Sequence, residues 1–481
     1  MLKRNLLLTL FIVVFYYASF SQEGNLGTGL QFDQERYESI EMSAPLVSRS
    51  FEKLPSKFSI KGYAPTPGNQ GAQGSCVGWS SAYGARTIAN AVKNGWENNL
   101  TKINQNTFSP SFVYNQIRVN NLCQGAFIED AMKILNVKGA SKLTEFPYDS
   151  RNCTKPPTNS TLTSAQNHKI LTFERLARWN NPYNLVKKVK KAIANKNPVV
   201  IGLFKFNSLK TDFNNVWVSN YGKKGHAMVV VGYDDNKMGG AFEIMNSWGT
   251  RFGQNGFFWI KYSDFQRQVK TAYVLIDKNK DTNNDTNNNP IVSNTLGGEL
   301  RLELSNGQNM PISLSKDANR GFNIVKSSKT TYKVNKSYSS GTQFRIYLKS
   351  KQRGYVYLIG YSGADKAAEK LYPFDKFSPF FNYSNSEIAL PNEDYFIEFD
   401  NKPGQDILCV LFSKEKLNIT NLLSNAKYNS GDFVTKIKTA LQKHTYNGTN
   451  VNFNSNKIAF SAKSNKSTDK IVPIFIAMNH K

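Results

Sequence analysis

A run of small polar residues near the middle of the chain most restricts how this sequence can fold. Residues 277–290 read DKNKDTNNDTNNNP and hold almost nothing but Asn, Asp, Thr and Lys. Such a run has no apolar surface to bury and behaves as a flexible connection. We therefore take residues 277–294 as a linker between two folded regions, 55–276 and 295–481.

The N-terminus has the pattern of an export signal. Lys3 and Arg4 precede an apolar stretch, and the small residues Ser19 and Ser21 follow it, which is typical of a cleaved signal peptide over residues 1–21. The apolar stretch is short for a membrane span, and no later stretch is long and apolar enough. We expect a secreted or periplasmic protein with no membrane span after signal cleavage.

The chain is strongly basic, with 61 Lys and Arg against 35 Asp and Glu and a net charge of +26. The basic residues are scattered and accompany no nucleic-acid-binding motif, so we predict that nucleic acid is not a partner. The positive charge is compatible with binding to an acidic envelope surface, which stays open as a partner.

A cysteine stands where a thiol gains reactivity. A glycine-rich turn leads to Cys76, and apolar spacing from Trp79 predicts a helix that runs to Asn94 and stops at Gly95. The positive end of a helix stabilises a thiolate and makes it a nucleophile at neutral pH. A buried structural cysteine fits this segment equally well.

Two later segments favour the catalytic interpretation. His226 stands at the start of an apolar strand, which would hold its ring rigidly as a base. Asn246 ends the next strand and is predicted to orient that ring, with Trp248 shielding the bond between them. Gln70 and the N–H of Cys76 are candidate donors to an oxyanion. Neither His residues nor carboxylates cluster with metal-ligand spacing, so we predict no metal and no cofactor.

These segments together resemble the papain family of cysteine peptidases. The matching pieces are NQG…GSC, GHAMVVVGYD and NSWGTRFGQNGFFWIK, in the family's order. The resemblance implies an α+β fold, with a two-lobed catalytic domain over residues 55–276 that has a helical lobe and a β-barrel-like lobe. It also implies Gln70 as oxyanion donor, Cys76 as nucleophile, His226 as acid–base and Asn246 as orienter.

Lesser matches suggest where a substrate would lie. By the resemblance, Gly125 and Ala126 would offer backbone hydrogen bonds to an extended substrate, and Trp248 would lie at the cleft. Phe127 and Ile128 would fall near the main specificity pocket, although they could also begin a helix and simply pack.

The sequence also departs from the family. Gln73 replaces the usual disulfide partner of the cysteine matched by Cys123, so Cys123 and Cys153 are left to pair with each other or stay free. The leader or N-terminal arm, residues 22–54, is shorter than the family's inhibitory prosegment.

Residues 295–481 predict a mostly β domain, which weakly resembles a β-rich module appended to bacterial exported enzymes. Alternation at Phe344–Leu348 and apolar or aromatic runs at 355–359, 395–399 and 407–412 predict strands. One helix is predicted near Val434–His444. The role of this domain is not predicted by its sequence.

The favoured function is an exported endopeptidase that hydrolyses protein or peptide substrates through a thioester acyl-enzyme. Two alternatives stay open. The same acyl-enzyme could pass to an amine, giving a transpeptidase or amidase on cell-wall peptides. The chain could instead be a non-catalytic envelope-binding protein, but such a module has no need of the complete set of Gln70, Cys76, His226 and Asn246.

Overall fold

The computed structural model describes residues 26–278, 294–314, 331–446 and 450–481. The expected signal peptide, residues 1–21, and most of the expected linker lie outside the described residues.

The N-terminal arm, residues 26–52, is folded onto the rest of the molecule. Its one α-helix, α1 (Gln34–Ser39), begins at Asp33, whose side chain accepts a hydrogen bond from the N–H of Arg36. Tyr37 is fully buried, with its ring 5.4 Å from that of Tyr273 and 5.8 Å from that of Trp179. A polar segment without clear periodicity is therefore fixed by one aromatic anchor.

The helical lobe is built round a central helix that starts at the predicted residue. Its three parts are α2 (Cys76–Gly78), a π-helical part (Trp79–Arg86) and α3 (Thr87–Asn94). Gly95, with φ +68°, ends it in the left-handed conformation as predicted. The other helices of this domain are α4 (Leu100–Gln105), α5 (Pro110–Ile117), α6 (Ile128–Val137), α7 (Asn159–Gln166), α8 (Leu185–Ala194) and α9 (Tyr262–Gln268).

The second lobe is an antiparallel sheet in the order β2-β7-β3-β4-β5-β6, with β1 paired to β4. The strand that carries His226 is apolar and buried along most of its length, which is why it lies inside the sheet. The strands are β1 (Lys57–Ser59), β2 (Thr172–Arg175), β3 (Val199–Phe206), β4 (Lys224–Asp234), β5 (Ala241–Met245), β6 (Phe257–Lys261) and β7 (Val269–Ile276).

The C-terminal domain contains two packed sheets. One has the order β13-β12-β17-β20-β10-β9 with β14 beside β12, and the other has the order β15-β11-β8-β19-β18 with β16 beside β11. The strands are β8 (Thr295–Leu304), β9 (Ile312–Leu314), β10 (Thr331–Tyr338), β11 (Gln343–Ser350), β12 (Gly354–Ser362), β13 (Ala367–Tyr372), β14 (Phe380–Phe381), β15 (Ser386–Leu390), β16 (Ile397–Glu398), β17 (Gly404–Ser413), β18 (Val451–Phe453), β19 (Ile458–Lys463) and β20 (Ile471–His480).

Most of the predicted elements of this domain are present. The alternation at Phe344–Leu348 lies in β11, where buried and less buried residues alternate. The strand predicted over 395–399 is wrong apart from the two residues of β16, and Tyr395 is exposed to solvent. The predicted helix is α11 (Phe433–Leu441), continued by a 3₁₀ turn (Gln442–His444), and a further helix, α10 (Ile419–Lys427), was not predicted.

The two domains share buried surface. Along β12, Val356 and Leu358 face the core of the β domain, whereas Tyr357 and Ile359 belong to the core that also contains the catalytic domain. Alternate residues of one strand thus serve two cores. Among the described residues, no helix is both long and apolar enough to cross a membrane.

Candidate active site

The predicted nucleophile lies at the start of the central helix. Cys76 is completely buried, and the N–H of Gly74 just before it donates to the carbonyl of Cys123 at 3.0 Å. The hydroxyls of Ser75 and Tyr148 are 2.7 Å apart. The loop that delivers the thiol is therefore fixed by contacts on both sides.

The imidazole of His226 is held by the segment after β5. Its Nε2 is 2.8 Å from Oδ1 of Asn246, and the indole of Trp248 stacks on the ring at a centroid distance of 4.9 Å. The N–H of Ser247 donates to the same Oδ1 at 2.8 Å, which fixes the amide of Asn246. Nδ1 is thereby left as the ring nitrogen for proton transfer, and within the described ranges it has no hydrogen-bond partner.

The thiol of Cys76 and the imidazole of His226 are both completely buried, in surroundings that disfavour charge. Nearby backbone N–H groups, including that of Ala227, act to lower the pKa of the Cys76 thiol, while the N–H of Leu30 from the arm donates to the carbonyl of Gly225 at 3.2 Å. Burial nevertheless raises the pKa of the Cys76 thiol to about 12, while burial lowers the pKa of His226 to about 4 against the effect of Asn246. The pair is therefore a neutral thiol and a neutral imidazole in this conformation.

Gln70 is buried and held beside the cysteine loop. Its Nε2 donates to the carbonyl of Gln73 at 2.8 Å, and its Oε1 accepts from the hydroxyl of Ser247 at 2.6 Å. An amide nitrogen has two hydrogens, so one remains for an oxyanion.

The opposite wall of the cleft only partly matches the expectation. Ala126 offers both its N–H and its carbonyl to an extended chain. The expectation for Gly125 is corrected: its N–H donates to the hydroxyl of Tyr114 at 3.1 Å and is not available to a substrate. Its contribution is space, since a Cβ at Gly125 would lie 2.0 Å from the carbonyl oxygen of Gly29. Phe127 precedes α6 and is partly exposed, and Ile128 begins α6 and packs in the core.

The two remaining half-cystines of this domain form a bond. Cys123 and Cys153 are joined by a disulfide that spans 30 positions. Because the carbonyl of Cys123 accepts from Gly74, this bridge braces the loop that precedes Cys76.

An unexpected feature fills the cleft: the start of the arm, residues 26–32. Leu30 pairs with Ala126 in parallel, where the N–H of Ala126 donates to Gly29 and the N–H of Gln31 donates to Ala126. The Trp248 indole N–H donates to the carbonyl of Gly27 at 2.9 Å. A substrate cannot reach Cys76 while this segment is in place.

The arm passes too close to the cysteine loop for any residue but glycine at two positions. A Cβ at Gly27 would lie 2.3 Å from the carbonyl oxygen of Gln73, and one at Gly29 would lie 2.6 Å from that of Gly74. Gly29 also has φ +129°, which disfavours other residues. These glycines were the only sequence signal for the segment.

In the described parts of the chain, no three His, Cys, Asp or Glu residues are grouped to hold a metal ion. A helix-borne thiol, an imidazole oriented by an amide and a fixed amide donor are the parts of a cysteine peptidase site.

Comparisons with known proteins give the same class. Residues 58–276 match the model of the family described as papain family cysteine protease. An uncharacterized peptidase C1-like protein of Acanthamoeba polyphaga mimivirus is 24% identical over 48% of this chain and 76% of its own length. A senescence-specific cysteine protease of Arabidopsis thaliana is 26% identical over 50% of this chain and 62% of its own length. Xylellain, a cysteine protease from Xylella fastidiosa, matches 53% of this chain and 97% of its own with 23% identity and a TM-score of 0.42.

Residues 58–276 are thus a papain-family cysteine protease domain. The chain is a cysteine-type peptidase with an additional β-rich C-terminal region, as the sequence predicted.

Proposed function

We propose that the protein is an exported endopeptidase in which Cys76, His226, Asn246 and Gln70 carry out peptide hydrolysis, and that the structure represents its latent form. The observation that carries the proposal is the contact of His226 with Asn246, together with the buried thiol of Cys76 at the start of the central helix.

The reaction follows from these positions. With the arm displaced, water enters, and the proton of Cys76 moves to Nδ1 of His226, where Asn246 keeps the ring aligned. The thiolate attacks the substrate carbonyl carbon, and Gln70 with the N–H of Cys76 stabilises the oxyanion. His226 then protonates the leaving amine. Water activated by the same ring cleaves the thioester and restores the thiol.

The arm has the geometry of an inhibitor rather than of a substrate. Its backbone is paired with the walls of the cleft: the N–H of Leu30 donates to the carbonyl of Gly225, and the carbonyl of Gly29 accepts from the N–H of Ala126. The segment therefore uses the hydrogen-bonding groups of Ala126 that an extended substrate would need, and substrate is excluded while the segment is bound.

A thiol-directed epoxide with mass mapping, combined with a protein-substrate assay, tests the proposal. The variants are the wild type, Gly29→Val to open the cleft, and the same variant with Cys76→Ala. We expect labelling of Cys76 and hydrolysis in Gly29→Val and neither in the double variant. A folded Gly29→Val protein that is labelled at Cys76 but hydrolyses no substrate would contradict the proposed function.

Export belongs to the proposal as well. The predicted cleavage after Ser21 is checked by the mass of the N-terminal peptide of the mature protein. An N-terminus at Met1 in exported material would contradict it.

A further inference from the structure

The second half of the arm lies between the two domains. Met42 pairs in parallel with Arg175 of the catalytic domain and with Phe377 of the C-terminal domain. On the C-terminal side, the N–H of Met42 donates to the carbonyl of Lys376 at 2.8 Å, and the N–H of Ser378 donates to that of Met42 at 2.7 Å. This stretch of arm is therefore an inner strand between the domains.

The next residues of the arm form hydrogen bonds and an ion pair with the C-terminal domain. Leu46 pairs antiparallel with Ile388 of β15, and the N–H of Val47 donates to the carbonyl of Glu387 at 3.0 Å. The N–H and hydroxyl of Ser48 both donate to the carboxylate of Glu393 at 2.7 Å. The side chain of Arg49 forms an ion pair with that of Glu387.

Burial and charge extend this contact. Ala44 is 7% exposed and belongs to the hydrophobic core of the C-terminal domain. Lys416 of that domain forms an ion pair of 2.6 Å with Glu41. Backbone pairing, an apolar contact and two charged side chains thus lie along nine consecutive residues of the arm, which is the composition of a specific peptide-binding surface.

We propose that the C-terminal β domain carries a binding surface for residues 41–49 of its own chain, and that this surface holds residues 26–32 in the active-site cleft. This assigns the C-terminal domain a role as the anchor of the arm, and it rests on the proposed function of the catalytic site.

The physical reason is the length of chain left free. The arm is covalently attached near residue 52, and α1 also contacts the catalytic domain through Arg36 and Tyr37. When those contacts open without the anchor, the whole arm moves as one long tether. Binding at 41–49 leaves only residues 33–40, which include α1, between the anchor and the cleft. A shorter tether raises the effective concentration of the inhibitory segment at the cleft.

The contacts suit a reversible clamp. Ser48, Arg49 and Glu393 are exposed to solvent at the edge of the interface. Exposed polar contacts are individually weak, so they can be broken without unfolding either domain. Displacement of the C-terminal domain from the arm would then open the active site.

The test compares the rate at which iodoacetamide alkylates Cys76 in full-length proteins. The main variant is Glu387→Ala/Glu393→Ala, and the matched control is Glu369→Ala, an exposed carboxylate on β13 of the same domain. Mass mapping separates Cys76 from Cys409, the other free cysteine. Gly29→Val gives the rate for an open cleft.

We expect the double variant to be alkylated about tenfold faster than the wild type, the size expected for loss of hydrogen bonds to charged groups, and the control to match the wild type. A second variant, Val47→Pro, removes the N–H that donates to Glu387, and the φ of −62° at Val47 already suits proline. It should also be alkylated faster.

If Cys76 is alkylated at the wild-type rate in both folded variants but fast in Gly29→Val, the proposed anchor is wrong and the proposed peptidase function is unaffected. Fast alkylation of Gly29→Val without hydrolysis of any protein substrate would instead overturn the proposed function. The two failures therefore give different results.

Discussion

At the residue scale, three consecutive side chains position the histidine and the oxyanion donor. Asn246 binds Nε2 of His226, Ser247 fixes Gln70, and Trp248 covers the imidazole face. One turn after β5 therefore orients both the base and the oxyanion donor. A change in its backbone would disturb both functions together.

The role of Gln70 gives a first prediction. Gln70→Ala in the Gly29→Val background should lower kcat by about 10²–10³-fold, the loss typical of one oxyanion donor, with a smaller effect on KM. Steady-state kinetics on a peptide substrate measures both. The control is Gln116→Ala, a glutamine of α5 that donates to a backbone carbonyl. An unchanged kcat would remove Gln70 from the mechanism.

The burial of His226 predicts a pH dependence. Burial lowers the pKa of His226 from the ordinary 6.5 to about 4 in the closed form, and the hydrogen bond with Asn246 opposes that shift. A lowered histidine pKa means that the closed form binds fewer protons, so its stability is lost as pH falls from about 6.5 to 4.

From pH 7 to pH 4, the free energy of unfolding should fall by about 3 kcal/mol less in His226→Gln than in the wild type. Urea denaturation at the two pH values measures the fall in each protein. His168, whose pKa is also lowered to about 4, titrates in both proteins and cancels in the comparison. Parallel pH curves for the two proteins would contradict the prediction.

Sequence reasoning located the chemical groups better than their neighbours. Cys76, His226 and Asn246 could be predicted from motifs, because the chemistry places each of them at the start or the end of a helix or strand. The hydrogen bond from the Gly125 N–H could not be predicted, because its acceptor, Tyr114, lies on a helix whose packing is not specified by any local sequence pattern.

At the element scale, the arm is the part that sequence could not predict. Its helix has only six residues, too few for periodicity to be informative. Its position depends on long-range contacts such as Arg36 with Asp130, 2.7 Å apart, and Tyr37 with Tyr273.

Gly29→Val should expel the arm from the cleft. The new Cβ has no room beside Gly74, so we expect hydrolysis of small peptide substrates to increase by at least about tenfold, which corresponds to about 1.4 kcal/mol against the closed form. The control is Gly239→Val, which also has a positive φ but has no atom within 4 Å of its Cβ position. Equal activity of both variants would contradict a blocking arm.

The disulfide between Cys123 and Cys153 predicts a stability effect. Cys123→Ser/Cys153→Ser should lower the free energy of unfolding by about 2–4 kcal/mol, because the open chain has more unfolded conformations. Chemical denaturation of the two proteins measures the difference. Reductant should destabilise the wild type and leave the variant unchanged, and equal effects on both would count against this bridge.

At the scale of the whole molecule, a carboxylic acid is buried where the domains meet. Glu174 on β2 is 2% exposed, and burial raises its pKa to about 8. Glu41 adds to this rise, whereas Ser378, Lys416 and Arg353 oppose it. A raised carboxyl pKa gives stability at low pH that is lost as pH rises from about 4.5 through 8.

Glu174→Gln removes that titration. We expect the variant to be about 2–4 kcal/mol more stable than the wild type at pH 9 and similar to it at pH 5, by thermal or urea unfolding. Glu369→Ala, which is exposed, should change neither value. A variant less stable than the wild type at pH 9 would show that the ionised Glu174 is tolerated.

The linker pattern predicts two regions of chain, but the residues that are buried where they meet could not be read from the sequence. Tyr357 and Ile359 belong to a different core from Val356 and Leu358, and their run looks the same whichever core each face joins. Periodicity reveals that a face is buried and not which partner covers it.

The complete enclosure of Cys76 has a consequence for the lifetime of the enzyme. Oxidants and foreign disulfides attack exposed thiolates, and the proposed export would bring the protein into oxidising surroundings. A protonated thiol that solvent does not reach is protected from these oxidants. The arm thus protects the Cys76 sulfur in the latent form, and oxidation of this sulfur begins only after the arm has left the cleft.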